Sequence, residues 1–235
     1  MRMQTAIQTT MLAISVAHSP ANAQSVSSSR PVFGQWLVGP IADRPFSGVE
    51  TRHSTQTLAN GAHVNRTDVS VVYRDELGRM RFEGKDIVLI YDPVGGFDYS
   101  LDVRAKTYRK APTGSMFWNN PTRSNTENSE TTEKQTPNRR TEDLGSRGMS
   151  GISVQGTRIT VTIPAGAYGN DRDLSVVNEK WYSPDLRALI KSLNSDPRFG
   201  DTTYELSNFV RSRPAPSLFQ IPSDYTQFVE SRKQK

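Results

Sequence analysis

The chain has 235 residues, of which 34% are hydrophobic and 23% charged, and it carries a net charge of +5. This apolar content is enough for the core of one domain. The sequence has no cysteine, which excludes disulfides, thiolate metal sites, a cysteine nucleophile and a lipid-attachment cysteine. The basic residues are scattered among acidic ones in runs shorter than five, so the sequence does not predict a nucleic-acid interface.

Residues 1–23 have the pattern of a signal peptide. Arg2 supplies the positive charge, the stretch 6–17 is mostly small and apolar, and Ala21-Asn22-Ala23 has the form of a cleavage site. The apolar run is too short to predict a membrane-spanning helix. We therefore expect cleavage near Ala23, no transmembrane segment in the mature chain, and a periplasmic or secreted protein.

The first strong structural signal after this segment is a β-hairpin. Asn60-Gly61 separates two extended runs, and this dipeptide is the strongest short signal for a hairpin with a two-residue loop. In that register Val49 faces Val72, and His53 faces Asp68.

Three further turns follow at short intervals, over residues 75–78, 92–96 and 103–106. Short connections favour antiparallel neighbours over parallel crossovers. The sequence therefore predicts an antiparallel meander.

The composition changes abruptly over residues 119–143, which contain no aliphatic or aromatic side chain. Such a stretch cannot bury enough apolar surface to offset its ordering entropy. We predict a disordered polar insertion over 112–143 within a domain that spans 47–225. A linker between two domains is the alternative. Residues 24–46 are expected to be a partly mobile N-terminal segment, and 226–235 a C-terminal tail.

The second half contains four predicted strands, and the assignment of residues 183–193 to one of them is ambiguous. Ser183-Pro184-Asp185 resembles a helix start, and four apolar residues fall at helical spacing, namely Leu186, Leu189, Ile190 and Leu193. The neighbouring segments are strands joined by short turns, so a helix here would leave two strand edges unpaired. We therefore predict a strand.

Several short segments in this half carry a resemblance to known proteins. They are Trp181-Tyr182, Ser183-Pro184-Asp185-Leu186, the stretch 196–201, the stretch 204–208, and 218–222 followed by Tyr225. Their order resembles a group of uncharacterised exported bacterial proteins, which are in turn similar to the lipoprotein-localisation superfamily of outer-membrane lipoprotein carriers and sigma-factor regulatory sensors. The resemblance implies a mainly β fold with few helices, in which one curved antiparallel sheet forms an incomplete β-barrel. It also implies a concave face that holds acyl chains when helices cover it.

Five aromatic residues on predicted strands are the candidate ligand-binding residues: Tyr73, Phe82, Tyr99, Trp181 and Tyr182. Aromatic side chains often line apolar pockets. The alternative is that they only pack the core of the sheet, as strand aromatics commonly do.

The sequence gives no catalytic set, and we expect no metal and no cofactor. His53 and His63 lie roughly 17 Å apart in the predicted register, too far to share a metal ion. The sequence contains no G-x-S-x-G element around a nucleophilic serine. Carboxylates are frequent, so a pair of acidic residues in a glycosidase-like site stays open as an alternative.

Three functions follow from these observations. The first is a non-catalytic binding or sensing module of the cell envelope that holds a lipid, a lipoprotein or a protein partner. The second is an exported hydrolase that uses two carboxylates. The third is a structural envelope protein that associates through its strand edges.

Overall fold

The computed structural model describes residues 41–115 and 138–229, and their fold is an open β-sheet. The strands are β1 Phe46–Thr57, β2 His63–Arg74, β3 Met80–Glu83, β4 Ile87–Asp92, β5 Phe97–Asp102, β6 Thr107–Pro112, β7 Arg139–Met149, β8 Ile152–Ile163, β9 Leu174–Ser183, β10 Ala188–Asp196, β11 Gly200–Val210 and β12 Thr226–Gln227. Their order across the sheet is β12-β6-β5-β4-β3-β2-β1-β11-β10-β9-β8-β7. Every neighbouring pair is antiparallel except β12 with β6. The predicted fold class is confirmed.

The sheet is curved, and one buried arginine shows this directly. Arg74 at the end of β2 donates a hydrogen bond from Nη2 to the carbonyl oxygen of Leu186, in the turn before β10. In the sheet order β2 and β10 are three strands apart, which is about 14 Å along a flat sheet. An arginine side chain cannot span that distance, so the sheet must curl toward the side on which Arg74 lies.

Two hydrophobic clusters lie on opposite faces of the sheet. The larger cluster fills the concave face and includes Phe82 of β3, Trp181 of β9 and Ile190 of β10. The smaller cluster consists of Val88, Ile90 and Leu101, with partly buried tyrosines around it. Strand β4 contributes to both clusters because successive side chains of a strand point to opposite faces.

The C-terminal segment covers the smaller cluster. Tyr225 packs against it, and Arg81 Nη1 donates a hydrogen bond of 2.8 Å to the carbonyl oxygen of Leu218. The guanidinium of Arg79 lies 4.9 Å from the ring centroid of Phe219, which is in the short 3-10 helix Pro216–Phe219. This layer makes the convex side of β3–β6 a second interior.

The predicted register of the first hairpin is wrong by one residue. Val49 pairs with Val71 and His53 with Thr67. Leu58 N donates to Ala62 O at 2.8 Å, and Gly61 has a φ of 81°. The loop therefore has three residues, a turn followed by a glycine bulge, rather than two. This additional residue shifts every cross-strand pair.

Residues 188–193 of the ambiguous segment lie in a strand, as predicted, whereas 184–187 form a turn. Ser183 ends β9, and β10 begins at Ala188 after a four-residue turn. The Ser183 hydroxyl accepts a hydrogen bond of 3.3 Å from the backbone N–H of Leu186, and Arg187 has a φ of 48°. The apparent helix start is therefore the turn between two antiparallel strands.

Two predicted boundaries need correction. Residues 139–143, assigned to the disordered insertion, form the first half of β7, because they pair along β8 from Val161 to Thr157. Residues 226–227, assigned to the tail, form β12. The signal peptide, residues 24–40 and the central part of the insertion lie outside the described residues. Within residues 41–115 and 138–229, no helix has the length and apolarity needed to cross a bilayer.

Candidate functional site

The concave interior next to Val72 is almost filled by side chains. The cavity there has a volume of about 20 Å³, which is room for a single water molecule. It is lined by aliphatic and aromatic groups together with Glu50, Arg74 and Tyr204. Among the described residues, the acyl-chain cavity that the family resemblance implies is therefore not formed at this place.

Arg74 closes one end of this interior. Its Nε donates a hydrogen bond of 2.8 Å to Arg44 O, and its guanidinium lies 4.6 Å from the ring centroid of Phe46. Burial lowers the pKa of Arg74 to about 10. The side chain stays charged at neutral pH and joins β2 to the N-terminal segment and to the turn before β10.

Two ionisable side chains, Glu50 and Tyr204, line this interior. Glu50 is 4% exposed and lies 3.6 Å from Arg52. Tyr204 is 3% exposed, and burial, reinforced by the nearby charge of Glu50, raises the pKa of its hydroxyl well above the usual range. The tyrosine therefore stays protonated over the physiological range.

A larger cleft lies between the end of the β7–β8 hairpin and strands β10 and β11. Its volume is about 350 Å³. The lining residues are Arg147, Gly148, Met149, Ser150, Ile190, Lys191, Glu205 and Leu206. Ile190 and Leu206 belong to the concave-face core and Met149 packs against it, so the cleft has an apolar floor and a charged rim. We call this space the hairpin cleft.

The turn of the β7–β8 hairpin gives the cleft one wall. Ser150 and Gly151 have φ values of 49° and 78°, which is the two-residue turn that fits the twist of antiparallel strands. The turn places Met149 opposite Ile152. The Ser150-Gly151 dipeptide is the sequence signal for this hairpin.

Trp181 anchors the same wall from below. The Arg147 guanidinium lies 3.6 Å from its ring centroid, and its Nε1 donates a hydrogen bond of 2.7 Å to Glu179 Oε1. The ring passes over Gly156, where a Cβ atom would lie 2.5 Å from it. Arg147 is thus held beside the cleft by an indole that is itself fixed on two sides.

Glu179 organises the charges around Trp181. Its carboxylate also accepts hydrogen bonds from Arg158, with Nη2 at 2.7 Å from Oε2. The hydrogen bond from Trp181, followed by those from Arg158, lowers the pKa of Glu179 against the opposing effect of burial. The acid is therefore ionised at neutral pH and balances the positive charges of Arg158 and Arg147.

The structure separates the five predicted ligand-binding aromatics. Phe82 and Trp181 share the concave-face core. Tyr73 follows Val72 in β2 and so points to the opposite face, Tyr99 packs against the smaller cluster, and Tyr182 is 38% exposed on the other side of β9 from Trp181. Of the five, Trp181 alone supports the wall of the hairpin cleft, through Arg147.

The frequent carboxylates hold turns and ion pairs. Asp75 binds Arg79 at 2.6 Å, Glu83 binds Arg81 at 2.6 Å, and Asp201 accepts a hydrogen bond from Ser195 at 2.6 Å. His53 and His63 contact threonines across the β1–β2 hairpin, Thr67 at 2.9 Å and Thr57 at 3.1 Å. In the described part of the chain, no group of three or more potential ligands is placed to hold a metal ion.

Comparison with known proteins gives likenesses of fold. No protein-family model and no curated protein matches the chain. Among solved structures, the chain is similar to the MucA/MucB complex of Pseudomonas aeruginosa, with 13% sequence identity and a TM-score of 0.45. The match covers 77% of this chain and 56% of that chain. An uncharacterized conserved protein from Thermus thermophilus has 7% identity, coverages of 78% and 89%, and a TM-score of 0.40. A LolA superfamily protein from Nitrosomonas europaea has 8% identity, coverages of 77% and 91%, and a TM-score of 0.25.

The chain spans little more than half the length of the first of the three. At such low identities the likeness concerns the arrangement of strands. The function has to be argued from the residues of this chain.

Proposed function

We propose that the protein is a non-catalytic binding module of the cell envelope, which takes an amphipathic ligand with an anionic head group in the hairpin cleft. A single acyl chain with an acidic head, free or as part of a lipid or lipoprotein, has this chemistry. The observation that carries the proposal is the cleft itself, which combines an apolar floor with cationic groups at its rim.

The size of the cleft agrees with such a ligand. Its 350 Å³ lies at the lower end of the range for small-molecule pockets, about 300–1,000 Å³. Met149 offers a partly exposed apolar surface to a chain, above the buried side chains of Ile190 and Leu206. A ligand with two long chains would exceed this volume, so we expect one chain, or one end of a larger lipid.

The charges at the rim favour an anion. Arg147 is fixed on Trp181 and needs no reordering to meet a ligand. Lys191 lies 3.6 Å from Glu205, and both side chains are about half exposed. An anionic group can replace Glu205 as the partner of Lys191 at small cost, because exposed ion pairs are weak.

The alternative of an exported hydrolase has less support. General acid catalysis needs a carboxyl group of raised pKa. Hydrogen bonds instead lower the pKa of Glu179, from Trp181 and then Arg158, that of Asp196, from Arg198, and that of Asp224, from Lys106. The buried acids Glu50 and Asp98 lie on β1 and β5, four strands apart. Each lies on a strand that does not pair with the strand of the other.

A substitution that fills the cleft tests the proposal. Gly148 lines the cleft and has open space where a Cβ would be, so Gly148→Leu adds apolar bulk without a clash. We expect the purified chain to bind dodecanoate in calorimetric titrations and the variant to lose at least about tenfold in affinity. Ser175→Leu, at an exposed position of β9, is the matched control and should bind like the wild type.

Lipid extraction and mass analysis of protein purified from the envelope would identify the natural ligand. Equal affinity of Gly148→Leu and wild type, or no dodecanoate binding by the wild type, would contradict the proposal.

A further inference from the structure

Three of the described loops meet at one end of the sheet. They are the β1–β2 loop (residues 58–62), the β8–β9 loop (164–173) and the β10–β11 turn (197–199). Asp201 near the start of β11 pairs with Thr55 near the end of β1, which places the β10–β11 turn beside the β1–β2 loop. Arg198 in this turn lies 5.4 Å from the ring centroid of Tyr168, so the β8–β9 loop is its neighbour as well. We call these three loops the loop end.

Each loop of the loop end exposes an apolar side chain. Tyr168 of the β8–β9 loop is 74% exposed, Phe199 of the β10–β11 turn 69%, and Leu58 of the β1–β2 loop 41%. A single exposed apolar side chain is ordinary on a protein surface, whereas a group of them on adjacent loops marks a place where something binds. The loop end is therefore a candidate interaction surface.

Hydrogen bonds hold Tyr168 at the tip of its loop. Gly166 N donates to Asn170 O at 2.7 Å, and Asn170 Nδ2 donates to the carbonyl oxygen of Pro164 at 2.8 Å. Tyr168 N donates to Asn170 Oδ1 at 3.0 Å. These bonds close the loop on itself and keep the backbone of Tyr168 away from the sheet, so the ring remains in contact with water.

Arg198 fixes the positions of both aromatic rings. Its Cζ lies 5.4 Å from the ring centroid of Tyr168 and 5.0 Å from that of Phe199. The guanidinium is itself held by the buried Asp196, to which Nε donates at 2.9 Å and Nη2 at 2.6 Å. A surface that is ordered before binding loses less conformational entropy when it binds.

The loops of the loop end carry almost no net charge. Residues 53–65 and 159–170 contain no Asp, Glu, Lys or Arg, although 23% of the chain is charged. Asp196 balances the charge of Arg198, and Asp171 balances that of Arg172. Attraction of a strongly charged partner needs clustered charge of one sign. The loop end therefore favours a partner that it meets through apolar contacts.

The exposed area favours a bilayer over a protein. An aromatic side chain buries about 150–250 Å², so the three side chains together bury less than the roughly 800 Å² per partner of a stable protein–protein interface. A fluid bilayer needs no surface of complementary shape. Tyrosine is enriched at the level of the lipid head groups, because its ring is apolar and its hydroxyl group is polar.

We propose that the loop end docks onto the surface of a lipid bilayer, with Leu58, Tyr168 and Phe199 inserted at the level of the head groups. The guanidinium of Arg198, held against both rings, then meets the polar head groups. The β8–β9 loop and the β7–β8 turn lie at opposite ends of β8, so the hairpin cleft lies away from the docked loops. The docking is independent of whether the cleft takes a ligand.

Co-sedimentation of the protein, purified from the envelope, with sucrose-loaded phosphatidylcholine vesicles tests the proposal. This lipid has no net charge, so the +5 charge of the chain does not contribute to binding. We expect half of the protein to pellet at a lipid concentration on the order of 1 mM. Because the contacts are apolar, the bound fraction should be the same at low and at high salt.

Substitutions at the tips supply the matched set. Phe199→Ser and Tyr168→Ser should each weaken binding roughly 5-fold to 10-fold, whereas Phe199→Trp should strengthen it, since tryptophan prefers the interface. Leu77→Ser is the control. Leu77 is also exposed, but it lies in the turn between β2 and β3, at the far end of β2 from the β1–β2 loop. All four variants should keep the circular dichroism of the wild type, because the positions are exposed.

Three results would overturn the inference. One is a wild type that stays in the supernatant at about 10 mM lipid, which would leave the three side chains to a protein partner. Another is vesicle binding that neither serine variant weakens, which would place the contact elsewhere on the chain. The third is a loss for Leu77→Ser as large as that for Phe199→Ser.

Discussion

Replacing Gly156 by alanine should destabilise the protein, whereas the same substitution at most strand glycines is stabilising. An added Cβ would lie 2.5 Å, 2.6 Å and 2.7 Å from three atoms of the Trp181 ring. The ring cannot turn away without losing its hydrogen bond to Glu179 and its contact with Arg147. The methyl group must therefore either strain the core or release Trp181.

The magnitude follows from these contacts. Overpacking a well-filled core costs about 1–3 kcal/mol, and losing the arginine–tryptophan contact costs about 0.5–1 kcal/mol more. Together they predict a loss of about 1.5–4 kcal/mol in the free energy of unfolding. A strand glycine without close neighbours should instead gain about 0.5–1 kcal/mol when replaced by alanine. Gly148, with nothing within 4 Å of its added Cβ, is such a position.

Urea unfolding, monitored by circular dichroism, compares Gly156→Ala with Gly148→Ala. The two variants carry the same chemical change on the same hairpin and should move in opposite directions. In a Trp181→Leu background the cost of Gly156→Ala should shrink toward that of the control, because the clash is gone. Equal stabilities of the two single variants would refute the account of how Trp181 is held.

Two further predictions concern charged groups. Because the pKa of Glu179 is lowered in the folded protein, its contribution to stability is complete above the ordinary value of 4.5 and is lost as the pH falls through the lower folded value. Glu179→Gln should therefore flatten the decline in the urea midpoint between pH 7 and pH 3. An unchanged decline would contradict this assignment. Arg74→Met removes the donors to Arg44 O and Leu186 O and should cost about 2–4 kcal/mol in urea unfolding. The control is Arg172→Met, at a side chain that is 79% exposed, and it should change the free energy of unfolding by less than about 0.5 kcal/mol. If Arg74→Met and Arg172→Met had equal effects, Arg74 would not hold the curl of the sheet.

The meander could be predicted because its turns are encoded locally. Gly78 and Gly96 adopt φ values of 77° and 76°, as the turns before β3 and β5 require. The register of the first hairpin could not be predicted with the same certainty, since Asn60-Gly61 fits loops of two and of three residues. Only the packing of Phe46 and Val72 into the core decides between them, and that is a long-range effect.

The candidate site was harder to predict because it depends on contacts between distant strands. Trp181 is a natural candidate from the sequence, but its neighbours Gly156 and Arg147 come from β8 and β7. The division of the aromatics between two faces follows from alternation along each strand, once the strands are known. The charged rim of the cleft arises from the curl of the sheet, which brings β7 to β10 and β11, and no pattern along the chain encodes it.

The two-residue strand β12 has a consequence for association between chains. Thr226 and Gln227 lie along the outer side of β6, and Phe228 N donates to Tyr108 O at 2.7 Å. The chain thus covers part of one border of its sheet with its own C-terminal segment. A strand edge covered in this way cannot pair with a second chain, so this short strand protects that border against edge-to-edge association and fibre formation.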